Sequence, residues 1–363
     1  MKQKKNKKLI WSLTATSLAC LTIPLGVILS SCGNNNSPII DNNNPSIPNN
    51  PNDSNNNDKP SLPPTVEIKP TLSSVEVQKQ MLYDKNINYS LSYYDTKIIF
   101  DLNGNILPDS LAKLTIKDGF IFSDKEMTNL IAIDPKIATN GIVTIPDTVK
   151  KITGYIAMIP DTAGVDPSQS LDNVNYNSIP VGAFQLLEII RKGTTEVNPM
   201  VLVKGYENIK TINFAPNSQL EMIGAMSFMN CYNLETISLP DSCYAIGCMA
   251  FMNCNNLVNI NLKNIKYIGD GAFNCSFIQS LGENNLSLKS ILLDLSSAKT
   301  IGVGAFDTYV WYDKNNMTQI PSGSQDLSSN VVNFKVNESC IKDVKFGSEI
   351  PKISKYAFNG TGN

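Results

Sequence analysis

The strongest constraint on how this chain folds is a unit of 22–23 residues that recurs in its C-terminal half. The segment Asn233–Phe251 reads NLETISLPDSCYAIGCMAF, and the segment Asn256–Phe273 reads NLVNINLKNIKYIGDGAF. A single unit of this length cannot enclose a core, whereas stacked units bury one another's apolar side chains. A five-residue step from isoleucine to phenylalanine marks the units at Ile179–Phe184, Ile223–Phe228, Ile246–Phe251, Ile268–Phe273, Ile301–Phe306 and Ile353–Phe358.

Each unit begins with the pattern of a short, half-buried strand. Leu234, Ile237 and Leu239 alternate with polar residues, which is typical of a strand with one buried face. A proline then ends the strand, and the chain returns through Ile246 and buries Phe251. The fold class predicted from this pattern is a repeat solenoid, with short parallel strands stacked along one face and irregular, turn-rich structure on the other.

The unit closely resembles the 23-residue repeat LxxIxLPxxVxxIGxxAFxxC of the BspA-like leucine-rich repeat family. The resemblance extends over residues 141–363 and is cleanest over residues 206–275. The chain departs from the family pattern through insertions near Gly154–Asn177, Gln185–Glu207 and Asp307–Ser339. Proteins of this family are commonly exposed at the cell surface, so the resemblance implies adhesion or binding of host proteins.

The N-terminus has the pattern of an export signal. Five lysines in MKQKKNKK precede an apolar stretch from Leu9 to Leu29. The segment Leu29–Cys32 resembles the lipobox of bacterial lipoproteins, which implies that Cys32 is lipidated after cleavage, as in a mycoplasma-type surface lipoprotein. Cys20 fits less well because the polar Ser17 stands three residues before it. An uncleaved transmembrane helix is the alternative interpretation of the apolar stretch.

The composition divides the chain into four parts. Residues 1–31 form the signal peptide, and residues 32–64 form a disordered tether rich in Asn, Pro and Ser. Residues 65–140 form a small mixed N-terminal or capping region, in which SSVEVQKQMLYDK predicts a short helix and Asp118-Gly119 predicts a turn between two strands. Residues 141–363 form the repeat solenoid with its insertions.

The residue types argue against most kinds of enzyme. Histidine is absent, so a Ser-His-Asp triad, a Cys-His pair and an imidazole metal ligand are excluded. Arginine occurs once, and loss of the signal peptide moves the formal net charge from −2 to −7, which makes nucleic acid an improbable partner. We therefore expect neither catalysis nor a cofactor nor a metal site.

Three cysteines recur with the repeat and raise the question of a metal or redox site. Cys231, Cys254 and Cys275 occupy one column after the phenylalanine, and single cysteines one repeat apart do not suit zinc. Their expected role is core filling, although a disulfide between neighbouring columns stays open. Cys243 is expected in the core and Cys248 nearer the surface, while Cys340 follows an insertion and has no predicted place.

Two surfaces are candidates for binding. By alternation, the polar strand residues tile the outer face of the predicted sheet: Thr211, Asn213, Thr236, Ser238, Asn259, Asn261, Ser290, Asp343 and Lys345. The insertion FDTYVWYDKNN carries Tyr309, Trp311 and Tyr312 in a predicted loop, which could be a hot spot or could pack beneath the insertion. Solvated polar residues that merely keep the sheet soluble are the simpler interpretation of the first set.

The expected function is that of a lipid-anchored protein on the extracellular face of the cell membrane. Its membrane contact would be the lipid on Cys32, and its solenoid would bind an extracellular protein or glycan without catalysis. One alternative is a structural or antigenically variable coat lipoprotein with no specific ligand. Another is a solute-binding lipoprotein of an import system, although that class needs two lobes in which helices alternate with parallel strands.

Overall fold

The computed structural model describes residues 70–83, 93–101, 104–161, 175–190, 200–277, 291–313, 318–320, 331–335 and 339–361. The predicted signal peptide, the lipobox with Cys32, the tether and Ser290 lie outside these residues. Among the residues described, no helix combines the length and the apolar character that crossing a bilayer requires.

A nine-stranded sheet, here called the long sheet, runs through the stacked units. From β4 onward neighbouring strands are parallel, and one residue of each unit occupies the same ladder position: Leu130, Ile152, Ile223, Ile246, Ile268, Ile301 and Ile353. In sheet order the strands are β2 Thr115–Lys117, β3 Phe120–Phe122, β4 Asn129–Ile133, β6 Lys151–Ile152, β12 Met222–Ile223, β14 Ala245–Ile246, β16 Tyr267–Ile268, β18 Thr300–Ile301 and β23 Lys352–Ile353.

The phenylalanines of successive units stack face to face behind this ladder. Their ring centroids are separated by 4.1 Å from Phe184 to Phe228 and by 5.0 Å from Phe228 to Phe251. The stack continues through Phe273, Phe306 and Phe358 at 5.2, 5.1 and 5.1 Å. Most of these spacings are close to the 4.7–4.9 Å between neighbouring strands, so each unit contributes one ring per strand. The predicted isoleucine and phenylalanine ladders are confirmed, apart from Ile179.

A second, shorter ladder lies in each unit before the long sheet. This short sheet has the order β15 Asn259–Ile260, β13 Thr236–Ile237, β11 Thr211–Phe214 and β5 Ile142–Ile145, and all its pairs are parallel. Its buried residues include Leu234, Ile237 and Leu239, as the alternation predicts. The face opposite the predicted ladder is rich in turns, as expected, but it also carries the long sheet. In each unit the ladder isoleucine and the residue before it are extended, and Gly247 N donates to Ile223 O at 2.7 Å.

The insertions form antiparallel strands that leave the stacked units at their turns. The first pairs β7 Gly154–Pro160 with β8 Tyr176–Gly182, and the second pairs β9 Gln185–Ile190 with β10 Met200–Gly205. The third joins β19 Tyr309–Asp313 to β20 Thr318–Ile320 and β21 Val331–Lys335. Ile179 therefore belongs to an inserted hairpin, and Ile152 is the ladder residue of the unit that Phe184 completes.

The remaining elements complete the last two units and extend the first insertion. Strands β17 Ile291–Leu295 and β22 Ile341–Phe346 form a parallel pair, and β1 Lys97–Ile99 extends the first inserted hairpin. The predicted turn between β2 and β3 is confirmed, because Asp118 and Gly119 have φ of 51° and 80°. Short helices are α2 Pro108–Leu111 and a 3₁₀ turn at Pro135–Ile137.

The predicted N-terminal helix is confirmed as α1 Ser74–Met81, which begins with a capping box between Ser73 and Glu76. It belongs to a segment, residues 70–83, that we call the strap because it crosses three successive units of the repeat. The Glu221 carboxylate accepts from Thr71 N at 2.8 Å. Further along, Cys248 N donates to Gln80 O at 2.7 Å, and Asp270 N donates to Met81 O at 2.9 Å.

Candidate functional site

Six of the predicted binding residues lie together on the short sheet. Thr211, Thr236 and Asn259 are register partners on β11, β13 and β15, so they form one row across three units. Asn259 Nδ2 donates to Thr236 Oγ1 at 3.2 Å. Asn213, Ser238 and Asn261 follow two residues later on the same strands or just beyond them, and Ser238, Asn259 and Asn261 are exposed. We call these six residues the polar row.

The chemistry of the polar row is that of neutral hydrogen bonding. It offers hydroxyl and amide groups, and Lys210 and Glu235 form an exposed ion pair at 3.8 Å beside it. Asn261 Oδ1 already accepts from Lys263 N at 3.1 Å. Such a surface can align polar groups of a partner through hydrogen bonds.

The other predicted residues of this surface lie on a separate ladder. Asp343 and Lys345 are exposed on β22, whose partner in the sheet is β17. Lys345 Nζ pairs with Asp294 Oδ2 at 3.1 Å. The pKa of Asp294 is lowered, first by its hydrogen bond with Ser296 and then by Lys345. The structure therefore does not bring these two residues into the polar row.

The predicted aromatic loop is a strand, and this corrects the sequence prediction. Tyr309, Trp311 and Tyr312 all lie on β19 Tyr309–Asp313. Trp311 is buried, and its Nε1 donates to Asp307 Oδ2 at 2.9 Å. Its ring contacts that of Tyr356 at 5.5 Å. The tryptophan thus packs beneath the insertion instead of serving an exposed hot spot.

Two of the repeat cysteines fill one core column, and each donates a hydrogen bond to the preceding unit. Cys231 Sγ donates to Phe184 O at 3.4 Å, and Cys254 Sγ donates to Phe228 O at 3.2 Å. The third member of this column is Ser276, whose Oγ donates to Phe251 O. The placement of Cys275 in the column is wrong. Cys275 has a φ of 55° and takes the left-handed position that Asn230 and Asn253 hold in their units.

The remaining cysteines are also buried. Cys248 is fully buried, contrary to the expectation of exposure, because its turn packs under Tyr93 and Tyr94 with Met249. Cys340, which the sequence left unplaced, lies in the main core, as does Cys243. Within the described residues, Cys231, Cys243, Cys248, Cys254 and Cys340 are free thiols. Burial raises the pKa of Cys231 and of Cys243 to about 12, so these thiols stay protonated.

The sequence did not reveal one buried acid, Asp270, which joins the strap to the repeat. Its Oδ2 accepts from Tyr83 N at 3.0 Å and its Oδ1 from Val303 N at 2.8 Å. Burial raises its pKa to about 6. An aspartate in the position where other units carry Ala225 or Val303 was the available sign. Over the described residues, no group of three or more acids or cysteines is arranged to hold a metal ion.

Stacked units that each give strands to parallel ladders and one ring to a phenylalanine stack define a repeat protein. Residues 203–292 and 283–363 match the family model described as "BspA type Leucine rich repeat region", in six copies. Residues 203–363 are therefore similar to leucine-rich repeat regions of the BspA type, in line with the sequence resemblance.

Among solved structures, the chain is similar to a leucine-rich repeat protein from Bacteroides ovatus ATCC 8483. The identity is 19%, and the match covers 53% of this chain with a TM-score of 0.25. It spans 42% of the length of the Bacteroides chain. The comparison with curated proteins gave no match.

Proposed function

We propose that this protein is a lipid-anchored surface protein whose repeat region binds an extracellular protein or glycan without catalysis. The observation that carries the binding proposal is the polar row, in which Thr211, Thr236 and Asn259 align across three units. A flat row of hydroxyl and amide groups on a repeat scaffold suits recognition of an extended partner surface. The BspA type of the repeats supports an adhesive role at the cell surface.

The lipid anchor is proposed from the N-terminal sequence alone. Metabolic labelling with radioactive palmitate should mark the wild-type protein, and Cys32→Ser should abolish the label. Cys20→Ser serves as the matched control and should retain it. Equal labelling of Cys32→Ser and the wild type would exclude Cys32 as the acylated residue.

The binding proposal is tested with panels of extracellular proteins and glycans. We expect saturable binding of the full chain to at least one of them, and at least about tenfold weaker binding by T236E/N259E, which puts like charges into the polar row. The control A112E/S348E adds the same charge at exposed positions elsewhere. Absence of any saturable binding would favour a structural or antigenically variable coat, and equal weakening by the control would rule out the polar row.

A further inference from the structure

A groove of about 660 Å³ lies between the strap and the last strands of the long sheet. One side is formed by strap residues of α1 and its ends, and the floor by β16, β18 and β23. We call it the basic groove, and the residues that matter for its chemistry are Leu72, Val77, Met81, Leu82, Tyr244, Tyr267, Lys266, Lys299 and Lys352. It lies on the long sheet, whereas the polar row lies on the short sheet.

Three lysines line this groove, each at the start of one of the three strands of its floor or one residue before it. Lys299 N donates to Lys266 O at 2.8 Å, and Lys352 N donates to Lys299 O at 2.9 Å. Lys266 and Lys299 stand one residue before β16 and β18, and Lys352 begins β23, where its register partner is Thr300. None of them forms an ion pair with any residue that the structure describes. Their charges remain available to a ligand.

The acids near the groove are engaged by the protein itself. Among the described lining residues the one acid is Asp270, which is buried and accepts from Tyr83 N and Val303 N. Glu221, at the other end of the strap, accepts from the backbone of Thr71 and Leu72. The open part of the groove is therefore cationic at neutral pH, although the whole chain has a formal net charge of −2.

The opposite wall of the groove is mainly apolar, and Ser74 and Gln78 are the polar residues that line it from the strap. Leu72, Val77 and Met81 line it from the strap, and Leu82 lines it with 65% of its surface exposed. The exposed Leu82 and the three lysines offer a ligand an apolar contact and a cationic contact along the same groove. Tyr244 and Tyr267, whose rings meet edge to face at 6.3 Å, form part of the floor.

We propose that the basic groove binds an extended acidic peptide segment in which acidic and apolar residues alternate. Side chains of an extended chain point alternately to opposite sides, so carboxylates can face the lysines while apolar side chains face the strap. The apolar wall favours a peptide over a sulfated glycan, since a glycan chain has no aliphatic side chains to bury there. This proposal does not depend on the polar row or on the lipid anchor.

The probe for the test is a fluorescein-labelled peptide of alternating glutamate and leucine, titrated with the full chain and followed by fluorescence anisotropy. We expect saturable binding that weakens as salt rises from about 50 to 300 mM, because screening shortens the reach of the lysine charges. Polyglutamate and a heparin fragment are the comparison ligands, and both should bind more weakly than the alternating peptide.

Variants separate the groove from general charge effects. K266E/K299E/K352E should weaken binding at least about tenfold. The control K113E/K117E/K125E makes the same change of net charge at exposed lysines outside the groove and should bind as the wild type does. Leu82→Ser should weaken peptide binding several-fold without affecting folding, because this side chain is exposed in the structure.

Three results would overturn the proposal. The first is no saturable binding of the alternating peptide, and the second is equal loss of binding in the two triple variants. The third is tighter binding of heparin than of the peptide together with no effect of Leu82→Ser, which would make the groove a glycan site. Circular dichroism spectra that match the wild type establish that each variant is folded.

Discussion

At the scale of single residues, the side chain three positions after a stacked phenylalanine links neighbouring units. Cys231, Cys254 and Ser276 each donate to the phenylalanine carbonyl of the unit before. A thiol and a hydroxyl thus donate the same hydrogen bond at equivalent positions. The column is a set of small hydrogen-bond donors in the core.

This equivalence predicts how cysteine substitutions differ. Cys254→Ser should cost less than about 1.5 kcal/mol, because a hydroxyl there has Phe228 O as its acceptor. Cys243→Ser should cost about 1–3 kcal/mol, because the nearest carbonyl, Ala245 O, is 3.9 Å from its Sγ. Urea denaturation of the two variants and the wild type measures the difference. Equal costs, or a greater cost at Cys254, would contradict the shared role with Ser276.

The glycine after a ladder isoleucine is required by the close approach of neighbouring units. A Cβ on Gly247 would lie 2.5 Å from Ala225 N and 2.6 Å from Gly224 C. Gly247→Ala must therefore push apart the backbones of two neighbouring units, which are hydrogen-bonded to each other before and after this glycine. We expect a loss of about 1–3 kcal/mol or more in the free energy of unfolding.

Urea denaturation measures the cost of Gly247→Ala. Exposed Ser238→Ala, directly after β13 in the same unit, is the control and should change stability by less than about 0.5 kcal/mol. If Gly247→Ala unfolded at the wild-type midpoint, the units would have to be less closely spaced than the structure shows.

At the scale of elements, the strap is held to the repeat by Asp270, and burial disfavours the ionised form of its carboxyl group. The pKa of Asp270 is raised from an ordinary value of 3.8 to about 6, so the folded state keeps this proton to a higher pH than the unfolded state does. The charged form nevertheless accepts two backbone hydrogen bonds, from Tyr83 and Val303. The attachment of the strap is thus coupled to pH.

The predicted consequence is a loss of stability as pH rises through about 4 to 6. Because the folded state binds more protons in this window, the contribution of Asp270 to the free energy of unfolding falls by up to about 3 kcal/mol. The neighbouring Cys248 and Tyr93 have raised pKa values and stay protonated throughout the window. Asp270→Asn removes the titration and should flatten this part of the pH profile.

Thermal melts of the wild type and Asp270→Asn between pH 4 and 7 measure the effect. The readout is the change of the Tm difference with pH, which a purely structural effect of the substitution would leave constant. Parallel profiles of the two proteins would contradict the coupling of Asp270 to stability.

At the scale of the whole molecule, the phenylalanine stack makes stability depend on position along the repeat. Phe251 contacts a ring on each side, at 5.0 and 5.2 Å, and is fully buried. Phe358 stacks on Phe306 alone among the stacked rings that the structure describes, and is half-buried. A repeat protein of this kind gains its stability from the contact of each unit with its neighbours.

Truncation in the middle of the stack should therefore cost more than truncation at its end. Phe251→Ala is expected to lose about 3–5 kcal/mol, because it opens a cavity and interrupts the contacts on both sides. Phe358→Ala is expected to lose less than about 2 kcal/mol, because part of its ring is already in water. Urea denaturation measures both. Equal costs would mean that the stack does not transmit stability between units.

The ladders could be predicted from the sequence because a periodic core repeats the same residue type at the same spacing. The strap could not, since the bond from Ala225 N to the Gln80 side chain joins residues 145 positions apart and leaves no periodic pattern. Cys275 was placed wrongly because its residue type matches the core column of cysteines, whereas its position in the backbone does not. Cys275 stands two residues after Phe273, whereas Cys231 and Cys254 stand three residues after their phenylalanines, and this earlier position has a left-handed backbone.

In each insertion, the first residue of the first strand pairs with the last residue of the last strand, so the two ends of the insertion lie side by side. Gly154 pairs with Gly182, Gln185 pairs with Gly205, and Tyr309 pairs with Lys335. Each closed base fixes the distance between the ends of an insertion, whatever the chain between them does. The segments between these bases can change in length and sequence while the spacing of the ladders stays the same. Sequence divergence within the insertions is therefore uncoupled from the folding of the stacked units.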